Sequence, residues 1–325
     1  STTVRDLTGA ENTKTGSRLT VSGVEDLGGG LKAGFDYTAA LSPTERGAGL
    51  TTRRANVSLG GGFGTVLIGS FDTNAIDAVR GFSPAVPGAA GGDFQARLAT
   101  GGALAAYANA TGLEPTTVAA ADVQAGLPGN ASNAVIYAMP AMNGFSASIA
   151  LVSQKAIAST ATPVTAAQNV NATVLGAEYA AGDLTVKAGY ATAKLTTLAT
   201  GDSGKLTDTA IGASYNLGMV VPYATYESAK ATSDGESLKT TGFELGAKFP
   251  MGALTPYIAI DSGNAKFDGV KFAKATGYQV GVNYDLSKRT SFYGTYGRDK
   301  IKGAINGDAT VSKRTGLSAG IVHMF

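Results

Sequence analysis

Apolar and polar residues alternate along most of this chain. From Leu31, the residues Leu31, Ala33, Phe35, Tyr37, Ala39 and Leu41 fall on one face of an extended segment. Period two is the mark of a strand with two different environments. The pattern returns in Phe145, Ala147, Ile149 and Leu151, in Leu184, Val186, Ala188 and Tyr190, and in Ile211, Ala213, Tyr215 and Leu217. It continues through Phe243, Leu245, Ala247 and Phe249, through Tyr278, Val280, Val282 and Tyr284, and ends on Leu317, Ala319, Ile321, His323 and Phe325. Fifteen strands are predicted, near 17–26, 31–41, 51–60, 64–71, 132–139, 144–154, 171–180, 183–194, 207–217, 219–229, 238–249, 253–263, 273–285, 289–299 and 314–325. The second face is mostly Gly, Ser, Thr and Asn, as in a water-lined interior. Tyr and Phe gather near strand ends on the first face, as in the aromatic girdles of a lipid-facing barrel. The many Ala on the apolar face would fill the core of a soluble sandwich poorly.

The connections alternate in length. Short turns stand at Asp26–Gly30, Gly60–Gly64, Pro140–Gly144, Ala180–Asp183, Asn216–Gly218, Pro250–Gly252 and Asp285–Lys288, and longer polar loops are expected near 42–52, 154–170, 195–206, 229–238, 263–274 and 300–313. Short turns on one rim and long loops on the other is the pattern of an up-and-down transmembrane barrel. The longest connection, 72–131, is rich in Ala, Gly and Pro; so long a stretch is reasonable when it folds into a lumen and packs there. Single-chain bacterial barrels have an even number of strands. A sixteenth is therefore expected, and Thr2–Thr8 is a poor candidate, so the first strand is weak or partly missing.

Composition narrows the chemistry. The 325 residues contain no Cys, no Trp and one His, which leaves no thiol nucleophile and no multi-His metal site. Charged residues make up 15% against about 25% in ordinary soluble domains. The net charge of +2 gives no footprint for nucleic acid. The mean hydropathy of +0.07 suits strands whose two faces cancel. No apolar run reaches the roughly 18–20 residues of a spanning helix, and a secretory leader, if one existed, is expected to have been removed already.

Several segments resemble the trimeric general diffusion porins of Gram-negative, proteobacterial outer membranes. They are Ser17-Arg18-Leu19 through Gly23 with Glu25-Asp26-Leu27-Gly28-Gly29-Gly30-Leu31-Lys32-Ala33-Gly34-Phe35, then Arg53-Arg54-Ala55-Asn56-Val57-Ser58-Leu59 with Phe63-Gly64-Thr65-Val66. Further matches are Leu286-Ser287-Lys288-Arg289-Thr290 with Tyr293-Gly294, and the ending Gly320-Ile321-Val322-His323-Met324-Phe325. The resemblance implies a 16-stranded antiparallel transmembrane β-barrel over residues 1–325, with the long third loop, 72–131, folded into the lumen as a constriction. It implies a homotrimer with a water-filled pore in each copy, set in outer-membrane lipid and lipopolysaccharide and passing small hydrophilic solutes.

In the family, wall arginines face acidic or carbonyl groups on that loop. Arg18 matches one wall arginine, and the alternation also points it inward. Arg53 matches a second by motif, whereas the alternation favours Arg54, unless a bulge intervenes; both are kept. Lys187 and Lys248 are further inward cations, and Glu178, Glu244 and the loop residues Asp72, Asp77 and Asp93 are the inward anions. Relatives often carry arginine where Gly69-Ser70 and Asn130 stand here, so the expected preference for anions is weak. No cofactor is expected, although the loop carboxylates could take calcium.

Other readings are weaker. Gly28-x-Gly30-x-x-Ala33 mimics a dinucleotide fingerprint, but period two follows it rather than a helix. An outer-membrane lipase or protease would need a nucleophile–base pair, and His323 lies in the final strand, so no enzyme is expected. A substrate-selective channel for phosphate or organic acids and a surface β-rich binding or adhesion protein stay as alternatives.

Overall fold

A computed structural model describes residues 17–40, 50–71, 75–85, 131–155, 168–197, 203–233, 235–305 and 308–324. Four strands come first: β1 (Arg18–Gly28), β2 (Leu31–Ala40), β3 (Thr51–Gly61) and β4 (Gly64–Phe71). A short helix, α1 (Ala75–Arg80), follows. Then come β5 (Ala131–Ala138), β6 (Phe145–Lys155), β7 (Gln168–Ala181), β8 (Leu184–Thr197), β9 (Ser203–Tyr215) and β10 (Val221–Ser233). The chain ends with β11 (Glu236–Lys248), β12 (Leu254–Phe267), β13 (Val270–Asp285), β14 (Thr290–Ile305) and β15 (Asp308–His323). All fifteen lie in one antiparallel sheet, in sequence order. The expected sixteenth strand falls at Thr2–Thr8, outside the described residues.

Register follows the alternation. Phe243, Leu245, Ile258, Ile260, Tyr278 and Val280 are all exposed on one face, although they are large and apolar. The other face carries Tyr223, Glu227, Glu244, Ala259, Asp261, Gln279 and Asp299, all buried. This inverts a soluble domain, whose large apolar side chains turn inward. It suits a wall whose outer face meets hydrocarbon.

Three expected loops are not loops. Residues 229–238, 263–274 and 300–313 continue the strands: β10 and β11 pair up to Ser233 and Glu236, β12 and β13 up to Phe267 and Val270, and β14 and β15 up to Ile305 and Asp308. Their polar composition misleads. Beyond a bilayer's hydrocarbon both faces meet water or headgroups, so apolar alternation fades while the hydrogen-bond ladder continues. A strand needs only about 9–11 residues to span, and β13, β14 and β15 each have 16.

The outer face should not tolerate charge at mid-height. Leu245→Arg is expected to destabilise by roughly 2–4 kcal/mol, read as a lower yield of heat-modifiable folded protein. Ser146→Arg, on the inner face, should fold normally.

Candidate functional site: the inner wall and its inserted helix

α1 and the turn after it lie against the inner face of β7, β8 and β9. A helix of six residues is too short to persist alone, so the wall must hold it. Ile76 and Val79 are 1% exposed and pack among Val152, Ala172, Val174, Ala191, Ala193, Leu206 and Ala210. The inner wall is thus apolar here, not the Gly, Ser and Thr lining expected along its whole face. Three glycines let the segment sit close. A Cβ at Gly189 would stand 2.9 Å from the Ala75 carbonyl, one at Gly176 2.9 Å from the Ala75 Cβ, and one at Gly212 2.8 Å from the Phe82 ring.

The end of the helix is fixed by charge. Gly81 donates its N–H to the Asp77 carbonyl at 2.9 Å, closing the last turn. Arg80 donates from Nε to Glu227 Oε2 at 3.0 Å and from Nη2 to Glu227 Oε1 at 2.5 Å. The same guanidinium lies 3.9 Å from Asp208 and 3.4 Å from Asp77. Bidentate pairing of this kind is the strong form of an ion pair. Next along the chain, Phe82 lies 5.7 Å below the Lys187 ammonium, which is also paired with Glu178 at 3.4 Å. Tyr223 donates to Glu244 at 2.7 Å and meets Ser83 at 3.4 Å. Ala85 packs on Tyr257 and Ala259, and Tyr257 donates to Gln279 at 2.7 Å.

A second charged group lies on β2 and β3. Arg54 donates from Nε to Asp36 Oδ1 at 2.7 Å and from Nη2 to Asp36 Oδ2 at 3.0 Å, and reaches Thr38 at 3.3 Å. The register of β2 and β3 shifts here: Thr38 faces Arg54 and Ala39 faces Thr52, so Arg53 is the extra residue of a bulge. Both arginines therefore stand at one level of the wall. Arg18 begins β1 opposite Ala40, on the face of Thr20 and Thr38. Lys248 ends β11, between Val221 and Tyr257. Asp77 lies in α1, while Asp72 and Asp93 are outside the described residues. Among the described residues no group of three or more His, Cys, Asp or Glu could hold a metal.

The structure thus gathers Lys187, Glu178 and Asp77 around α1 and keeps Arg18, Arg53 and Arg54 on β1–β3. Arg80, Asp208 and Glu227 were missed from sequence. The parity that sends Ile211 and Tyr226 outward sends Asp208 and Glu227 inward, so those two were readable. Arg80 ends the short helix α1 within the long connection after β4, where no period-two pattern gives a signal.

The inner face of the sheet thus carries a short segment anchored to it by charge and by packing. The family model of the Gram-negative porins matches residues 1–304. The chain belongs to the Gram-negative porin family. It is an outer-membrane β-barrel channel. Among solved structures it is similar to an anion-selective porin from Comamonas acidovorans, with 24% identity, 95% of this chain and 90% of that one covered, and a TM-score of 0.69. It is also similar to the trimer form of OmpT from Vibrio cholerae, at 15% identity, 95% and 92% coverage and a TM-score of 0.64. A third is OmpF of Salmonella typhi in complex with daunomycin, at 15% identity, 94% and 89% coverage and a TM-score of 0.60. No curated protein sequence matches.

Loss of Arg80 should loosen the inserted segment. Removing Arg80 leaves the buried Glu227 carboxylate without its bidentate guanidinium partner. Arg80→Ala is expected to give noisy single-channel currents with more than one conductance level, and Arg80→Met combined with Glu227→Gln should recover most of the quiet state.

Proposed function

We propose that this porin passes small hydrophilic solutes and ions by passive diffusion, with a weak preference for anions. The observation that carries the preference is unequal exposure within two arginine–acid pairs of the inner wall; the Lys187–Glu178 pair runs the other way, at 28% and 43%. Arg80 keeps 41% of its side chain exposed while Glu227 keeps 7%, and Arg314 keeps 38% while Asp299 keeps 7%. Glu244 and Asp208 are likewise buried in the wall, at 5% each. The acids are turned into the protein and the guanidinium groups toward water, so a diffusing ion meets the cations first. A cationic lining beside low-dielectric walls raises the local anion concentration. Arg18, Arg53, Arg54, Lys187 and Lys248 on the inner wall add to it. Loop residues 72–131, with Asp72, Asp77 and Asp93, would form the constriction. The name of the Comamonas acidovorans protein agrees with this reading.

Three copies assembling side by side is the oligomer that suits the outer face of β1–β5. There Leu19, Val21, Phe35, Tyr37, Val57, Leu59, Ile68, Val135 and Tyr137 are exposed and apolar. The trimeric OmpT structure agrees with it. Outer-membrane lipid and lipopolysaccharide would cover the rest, and no catalysis is assigned to the chain.

The test is the reversal potential of the channel in a planar bilayer under a salt gradient. Wild type is expected on the anion side. Arg54→Gln with Lys187→Gln should move the potential toward zero. A cation-side potential in wild type would overturn the selectivity and leave the channel.

A further inference from the structure

The outer face bears a second pattern, at the rim away from the short turns. Lys194 of β8 stands directly opposite Lys205 of β9. Lys230 of β10 faces Lys239 of β11, Lys239 faces Lys266 of β12, and Lys266 faces Lys271 of β13. Lys274 of β13 faces Lys302, and Lys300 of β14 faces Lys313 of β15. Like charges directly opposed on a sheet are destabilising, yet six such contacts follow one another from β8 to β15. No described carboxylate shares the rows. On the same strands Asp208, Glu227, Asp261 and Asp299 are buried on the inner face, and Glu236 and Asp268 sit at the hairpin tips. Asp268 there accepts the Ser237 N–H at 2.7 Å. Among the described residues no ion pair joins these lysines to an acid.

Their height is also regular. On the outer face Tyr190 precedes Lys194, Tyr226 precedes Lys230 and Tyr296 precedes Lys300, while Phe243 follows Lys239 and Tyr278 follows Lys274, each four residues apart toward the bilayer. The aromatic ring marks the interface of the apolar band. Four residues of strand rise about 13 Å, or about 10 Å along the membrane normal at a tilt near 40°. The ammonium groups therefore stand in the headgroup layer, within reach of their flexible stems. Adjacent strands bring them about 4.8 Å apart, so one headgroup with two phosphates, or two neighbouring headgroups, can engage several lysines together.

We propose that this lysine ladder binds the phosphate groups of outer-leaflet lipid directly, without a bridging divalent cation. The inference rests on the outer-membrane porin reading and adds to it the residues and the mode of contact. Acid-bearing surfaces need a divalent ion to meet a lipid phosphate; a surface with only ammonium groups does not. The lipid in turn removes the repulsion that the ladder would otherwise carry.

The test uses the full chain, refolded in detergent and checked for channel activity in a planar bilayer, with bis-phosphorylated lipid A as the probe in excess EDTA. Wild type is expected to bind the probe in EDTA and to release it in high salt. Lys230→Gln with Lys239→Gln and Lys266→Gln should weaken binding by about a hundredfold, because each basic side chain near an anionic surface contributes about fivefold. The corresponding triple change to Arg should retain binding, and Lys288→Gln with Arg289→Gln at the opposite rim should not alter it. Binding that vanishes in EDTA, or that the triple Gln variant retains, overturns the proposal. If wild type conducts but does not bind, the ladder fails and the porin reading stands. If it neither conducts nor binds, both fall.

Discussion

A strand that crosses hydrocarbon can leave none of its backbone N–H and C=O groups unpaired. That requirement accounts for most of what is seen here. It draws fifteen strands into one ladder in which each pairs with its sequence neighbours. It also fixes a sheet one residue thick, with successive side chains delivered to two different media. Large apolar residues then belong outside and polar ones inside. The one conspicuous long-range contact of the described chain is the exception to this neighbour rule: the segment after β4 crosses the interior to reach β7–β10.

The wall was therefore legible in the sequence, and the way the inserted segment is anchored to it was not. Strand positions, the parity of Phe243 and Leu245, and the inward direction of Arg54 all follow from period two. The hairpins at 229–238, 263–274 and 300–313 were read as loops because apolarity stops alternating above the bilayer. Arg53 was left undecided by parity, since a single extra residue at Thr38–Ala39 shifts the phase locally. The anchoring by Arg80 needs a three-dimensional coincidence of α1, Asp208 and Glu227, and no periodicity encodes it.

How the segment is held explains why the inner wall is not uniformly polar. Ile76 and Val79 require an apolar floor, which Ala172, Ala191, Ala193 and Ala210 supply without filling the lumen. Larger residues there would lift the helix. Smaller ones, at Gly176, Gly189 and Gly212, admit the Ala75 backbone and Phe82. The Ala content that argues against a soluble core is thus suited to a shallow docking surface. The ion pairs then set orientation: Arg80 tied to Glu227 leaves the helix one way to lie.

The same thin wall separates charge. Lys205 and Asp208, Glu227 and Lys230, and Asp299 and Lys302 are each three residues apart in sequence. On a helix that spacing would bring opposite charges together as a pair. On a strand an odd spacing sends them to opposite faces. Each acid consequently faces the inner side, where Glu227 meets Arg80 of the inserted segment and Asp299 meets Arg314 directly opposite on the adjacent strand, while each lysine is left to the membrane side. A net charge of +2 over the whole chain conceals this arrangement, because the balance is reached between faces and not between neighbours. The sum of charges in a barrel therefore says little about either its pore or its outer surface; the parity of each charged residue says far more.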